Sequence, residues 1–188
     1  MDDDVHFVRS KAAVALGMLK VADEAEHLSE VLVDKSPSVR ASAIFALGEL
    51  GQDGCRFAHE VAKMVGDTIV GVRVAAVRAL GRLGVGHYAG IVATTLNDPL
   101  VRCDALEALG VLGAYGAAFA EDVAECLQDD DTRVRVAAVK SLKNMGQQAS
   151  DFAHLLLEDA VDDNHDGMEA AKSALLSINA LDAIEVEE

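Results

Sequence analysis

Apolar residues recur along almost the whole chain at intervals of three and four, in runs of two alternating kinds. One kind is short, as in Ala25, Leu28, Val31 and Leu32, or Ala120, Val123, Ala124 and Leu127. The other is longer and richer in alanine, as in Val72, Ala76, Ala79, Leu80 and Leu83. Such spacing lines one face of a helix with apolar side chains. The pattern predicts an all-α protein built from alternating first and second helices.

The longer run carries a recurring motif, Val-Arg followed by small apolar residues and closed by Ala-Leu-Gly. It reads Val8-Arg9 to Gly17, Val39-Arg40 to Gly48, Val72-Arg73 to Gly81 and Val101-Arg102 to Gly110. A fifth copy, from Val134-Arg135 to Leu142, has Lys143 in place of the glycine, and a worn sixth has Gly167-Met168 in place of Val-Arg. From Arg9 to Met168 the successive spacings are 31, 33, 29, 33 and 33 residues. A second element stays in phase with it: Phe57-Ala58, Tyr88-Ala89, Phe119-Ala120 and Phe152-Ala153, with Ala25 in the equivalent place. An aspartate follows nine residues after each alanine, at Asp34, Asp67, Asp98, Asp129 and Asp162. Self-similarity at this period marks a repeat protein, in which no helix pair buries both its faces alone and neighbouring pairs must stack.

Two glycine sets have separate roles. Gly51, Gly84, Gly113 and Gly146 stand where a left-handed residue would stop each second helix. Gly48 and Gly81 lie inside the second helix, where a missing side chain lets a neighbouring backbone approach. The aspartates fall in the turn between first and second helix, six residues before the arginine at Asp34, Asp67 and Asp129 but four before it at Asp98. From that place each aspartate is predicted to cap the second helix. With the arginine of the first turn it would form a ladder of charge-assisted hydrogen bonds between repeats. The ladder residues are Asp34, Arg40, Asp67, Arg73, Asp98, Arg102, Asp129 and Arg135.

The pattern D-x-x-x-x-V-R-x-x-A-x-x-A-L-G-x-L-G resembles HEAT repeats of the short, phycobilin-lyase-like class, over essentially the whole chain. The resemblance implies a right-handed α-solenoid of about five and a half helix pairs, read as one domain over residues 1–188. Its parts would be a half repeat (1–20), four full repeats (21–51, 52–84, 85–113 and 114–146), a degenerate capping repeat (147–180) and an acidic tail (181–188). Proteins that look like this include adaptors, scaffolds, bilin lyase subunits and the di-iron enzyme deoxyhypusine hydroxylase.

Composition narrows the choice. With 51% apolar residues the chain can bury a core, but 4% aromatic content and no Trp leave Ala, Val and Leu to fill it. The net charge of −16 repels nucleic-acid phosphates and anionic lipid. Cys55, Cys103 and Cys126 are odd in number and lack CxxC spacing, which suits reduced thiols in the cytoplasm. Met1 is followed by Asp2, Asp3 and Asp4 and not by the basic start of a signal peptide, and the longest apolar run, 108–120, is too short to span a bilayer.

Enzymatic constellations do not assemble. The hydroxylase needs His-Glu pairs after the Val-Arg positions, which here hold Ser10-Lys11, Ala41-Ser42, Val74-Ala75, Cys103-Asp104 and Val136-Ala137. The one His-Glu, His59-Glu60, is in a first helix, three repeats from its equivalent His154. Asp162, Asn164 and Asp166 match half of a calcium loop, but Ser173 stands where a bidentate Glu is needed. Cys103 is the candidate for bilin attachment, without supporting motif. No catalytic, metal or cofactor set is assigned, and the chain is read as non-enzymatic.

In the stacks this chain resembles, second helices line the concave face. Five residues past the motif arginine stand Val14, Phe45, Arg78, Glu107 and Lys140, and nine past it stand Met18, Glu49, Arg82, Val111 and Asn144. With Lys143 alongside, Val14, Phe45, Arg78, Arg82, Glu107, Lys140 and Lys143 form a candidate surface for a protein or peptide partner, apolar at one end and basic further on. The predicted function is a scaffold or adaptor gripping a partner with acidic segments. The alternatives are a subunit of a bilin-lyase-type or other modifying complex, or a permanent structural subunit of a large assembly. The opening second helix, Val5–Leu19, has no first helix to cover it, which suggests self-association or chain continuation at that edge.

Overall fold

The computed structural model describes residues 3–152. Its long helices are α1 (Asp3–Met18), α3 (Pro37–Glu49), α5 (Val70–Leu83), α7 (Arg102–Leu112) and α9 (Thr132–Met145). Between them lie α2 (Ala25–Glu30), α4 (Ala58–Lys63), α6 (Ala89–Thr94) and α8 (Ala120–Glu125). Each short helix is extended by 3₁₀ turns, for example Cys55–Phe57 before α4 and Met64–Gly66 after it. The aromatic-Ala pairs mark these starts: Phe57, Tyr88 and Phe119 occupy the cap position, and the alanine behind each is buried. No strand occurs among the described residues.

The chain divides into two compact units, residues 1–95 and 96–188. In the first, α1 packs on α3 and α3 on α5, while α2 and α4 lie against α3 and α5 respectively. In the second, α7 and α8 both pack on α9. The cores are aliphatic, with Ile44, Leu47 and Leu80 fully buried in the first unit and Leu106, Leu109 and Leu142 in the second.

Small residues set how closely the long helices approach. A Cβ built on Gly17 would stand 2.5 Å from the Cα of Ala46, and one on Gly48 would stand 3.1 Å from Ala79. The second unit repeats the contact between Gly110 and Ser141. In each case the glycine eight residues past the motif arginine meets the residue six past it in the next repeat. Each long helix ends at a positive-φ residue: Gly51 (57°), Gly84 (67°), Gly113 (55°) and Gly146 (63°). In the first copy Lys20, a non-glycine, takes that place at 52°.

Candidate functional site

The aspartates do not cap the second helices. The capping positions fall to Ser36, Ile69, Val101 and Asp131, and of these only Asp131 accepts a bond from the helix with its side chain, from the Arg133 amide at 2.9 Å. The ladder aspartates lie two or three residues too early in the chain. Asp34, Asp67, Asp98 and Asp129 instead close Asx turns, accepting from the amides two residues on at 2.8, 2.8, 3.0 and 2.8 Å.

This turn aims the carboxylate at the previous repeat. Arg9 donates from Nε and Nη2 to Asp34 at 2.9 and 3.0 Å, and Arg40 does the same to Asp67 at 2.9 and 3.0 Å. Arg102 is paired with Asp129 in the second unit. The arginines also reach back to their own turn. Arg40, Arg73 and Arg135 donate from Nη1 to the main-chain carbonyls of Asp34, Asp67 and Asp129 at 2.8, 3.0 and 3.0 Å. In the shortened fourth repeat Arg102 donates to the carbonyl of Leu96, again six residues back, at 2.7 Å. One planar guanidinium thus ties a turn to its own helix and to the next turn, which suits its fork of donors. The hydrogen bond from Arg9 holds the Asp34 carboxyl below its ordinary value, and that from Arg40 does the same for Asp67.

The candidate partner surface is described separately for each unit. In the first, Val14 on α1 and Phe45 on α3 are part-buried, whereas Arg78 on α5 is exposed. Arg82 is not a separate cation: it pairs with Glu49 at 2.7 Å and lies over the Phe45 ring at 5.4 Å. That bridge was legible, because Glu49 and Arg82 are both nine residues past the motif arginine and so neighbour each other in the stack. In the second unit Glu107 on α7 and Lys140 on α9 are exposed and Lys143 is part-buried.

Among the described residues no three His, Cys, Asp or Glu side chains stand together so as to hold a metal ion. His59 is exposed on α4, and one carboxylate oxygen of Glu60 is buried without a hydrogen-bond partner. Burial pushes the Cys103 thiol above its ordinary value, which leaves little thiolate at neutral pH. The half calcium loop at Asp162, Asn164 and Asp166 lies outside the described residues. No described helix is long and apolar enough to cross a membrane.

Comparison with known proteins agrees with this architecture. The chain is similar in fold to a designed armadillo repeat protein in complex with the peptide (KR)4 (TM-score 0.72, 17% identity, 93% of this chain and 91% of that one). It is similar to a chain from the complex of CpcE and CpcF of phycocyanin lyase from Nostoc sp. PCC7120 (TM-score 0.69, 22% identity, 98% of this chain and 76% of that one). An engineered protein matches with a TM-score of 0.68 at 16% identity, over 95% of this chain and 93% of that one. No curated protein sequence matches. The sequence profile of HEAT repeats matches residues 25–89 and 90–176. Matched over most of its length, the chain belongs to the HEAT-repeat family.

Proposed function

We propose that this protein is a non-enzymatic HEAT-repeat scaffold that holds a protein partner on the second-helix face of its first unit. The partner segment sets an apolar side chain against Val14 and Phe45 and a carboxylate against Arg78. The observation that carries the reading is the row formed by Phe45 and Glu49 on α3 and Arg82 on α5. There the Arg82–Glu49 pair and the Arg82–Phe45 stack hold three side chains in one arrangement before any partner arrives. Preorganised aromatic and arginine side chains are the usual anchors of protein interfaces. Lys140 and Lys143, with Glu107 beside them in the repeat register, offer the second unit a separate polar contact.

Affinity capture from the native source, with the intact chain as bait, tests the reading. A partner retained by the parent chain but lost with Arg78→Glu and with Phe45→Ser supports it. A partner held equally by both variants overturns it.

A lyase-type subunit is the second reading, favoured by the fold likeness to the CpcE–CpcF chain. Covalent attachment through Cys103 is disfavoured by the raised thiol. This reading predicts that free bilin binds the chain, which absorbance titration would detect.

A further inference from the structure

Six second-helix positions of the first unit lie five or nine residues past a motif arginine: Val14, Met18, Phe45, Glu49, Arg78 and Arg82. Glu49 is the single carboxylate among them. It follows Gly48, whose backbone packs closely on Ala79 of α5, so α3 and α5 are near each other where Glu49 and Arg82 meet. There Arg82 Nη1 lies 2.7 Å from Glu49 Oε1, and the guanidinium sits 5.4 Å from the centre of the Phe45 ring, one turn back along α3. The Asp–Arg bridges of the ladder recur from repeat to repeat, as structural ties do. The Glu49–Arg82 pair does not: its row of the motif holds Met18 before it, and Val111 and Asn144 in the second unit. With side chains 29% and 47% exposed, the pair also adds little to stability. What it changes is the charge that a partner meets.

We propose that Glu49 is a specificity-determining residue of the partner face. Its carboxylate occupies Arg82 in advance and so sets how many carboxylates a partner segment can place there. The inference rests on the scaffold reading above, in which the partner sets one carboxylate against Arg78. A second carboxylate, aimed at Arg82 one turn along α5, finds a tethered one already in place and has to displace it. Displacing an exposed pair of this kind lowers affinity by at most about fivefold, so Glu49 selects between partners without closing the face. The paired arginine keeps its stacking on Phe45 meanwhile, and its planar group extends the surface offered to the apolar anchor. Glu49 thus tunes the face toward segments with one carboxylate beside an apolar side chain.

Fluorescence anisotropy of the intact chain with two labelled peptides, (EL)4 and its one-carboxylate counterpart EL(QL)3, tests the role. The readout is the ratio of the two affinities. Glu49→Gln should raise that ratio in favour of (EL)4 by about fivefold, because it releases Arg82. In an Arg82→Gln background the same substitution removes the same charge and should leave the ratio within about twofold. The comparison separates release of the arginine from general loss of negative charge. Glu49→Gln is nearly isosteric and should keep the parent's helical circular dichroism. An unchanged ratio, an equal rise in both backgrounds, or weaker binding of both peptides by Glu49→Gln overturns the role of Glu49 and leaves the scaffold reading standing. If (EL)4 binds neither the parent nor Glu49→Gln, that reading falls and the role of Glu49 with it.

Discussion

Lys20 stands at φ 52° in the position that glycine fills at the ends of α3, α5, α7 and α9. A side chain there costs about 1 kcal/mol in backbone strain. Lys20→Gly is therefore expected to raise the urea midpoint, by about 0.5–1 kcal/mol of stability, and Gly84→Ala to lower it by about 1–2 kcal/mol. Ser141 is a similar departure from the repeat. It is 1% exposed, its hydroxyl has no hydrogen-bond partner, and its equivalents are Ala15, Ala46, Ala79 and Ala108. Ser141→Ala should stabilise by about 1 kcal/mol, through removal of an unsatisfied buried hydroxyl. The arginine bridges predict a pH dependence. Asp34 and Asp67 titrate below the ordinary 3.8 when folded, so between that value and their folded values the unfolded chain binds more protons. Their stabilisation is complete above the ordinary value and is lost as pH falls through the folded ones. Asp67→Asn should therefore lower stability near neutrality and flatten the acid limb of unfolding, followed by circular dichroism from pH 6 to about 2.

Among the elements, the long helices and their glycine–alanine contacts decide the packing, and two opposing effects can be weighed there. Alanine is the better helix former by about 1 kcal/mol at either glycine. At Gly17 a Cβ would overlap the Ala46 Cα at 2.5 Å, and only backbone movement could relieve it. At Gly48 the corresponding approach is 3.1 Å, which a small shift accommodates. Gly17→Ala is thus expected to destabilise by about 1–2 kcal/mol net, since overpacking outweighs propensity. Gly48→Ala should fall within about 0.5 kcal/mol of neutral. Denaturant midpoints of the two variants check both values.

Much of this level was readable in the chain, because a repeat writes each contact several times: the helix-stopping glycines and the Val-Arg phase mark every second helix. The capping role of the aspartates was misread. Spacing placed them just before the helix and gave the ladder between repeats, but it could not show that an Asx turn would take up the capping oxygen two or three residues ahead of the helix. The engagement of Arg82 by Glu49 and Phe45 was also missed, although their shared place in the motif put them side by side.

For the whole molecule, charge and repetition set the interactions. A net −16 makes nonspecific attraction to basic chains the default, so a preference for an acidic segment has to come from local chemistry at Phe45 and Arg78. That contrast can be put to a binding experiment. Fluorescence anisotropy of the intact chain would be measured with two labelled peptides, (KR)4 and an alternating (EL)4, at moderate salt. With Phe45 and Arg78 as anchors, (EL)4 is expected to bind and to lose affinity about tenfold with Arg78→Glu and with Phe45→Ser, since each removes an anchoring contact. Binding of (KR)4 alone, or (EL)4 binding unchanged by both substitutions, would contradict it.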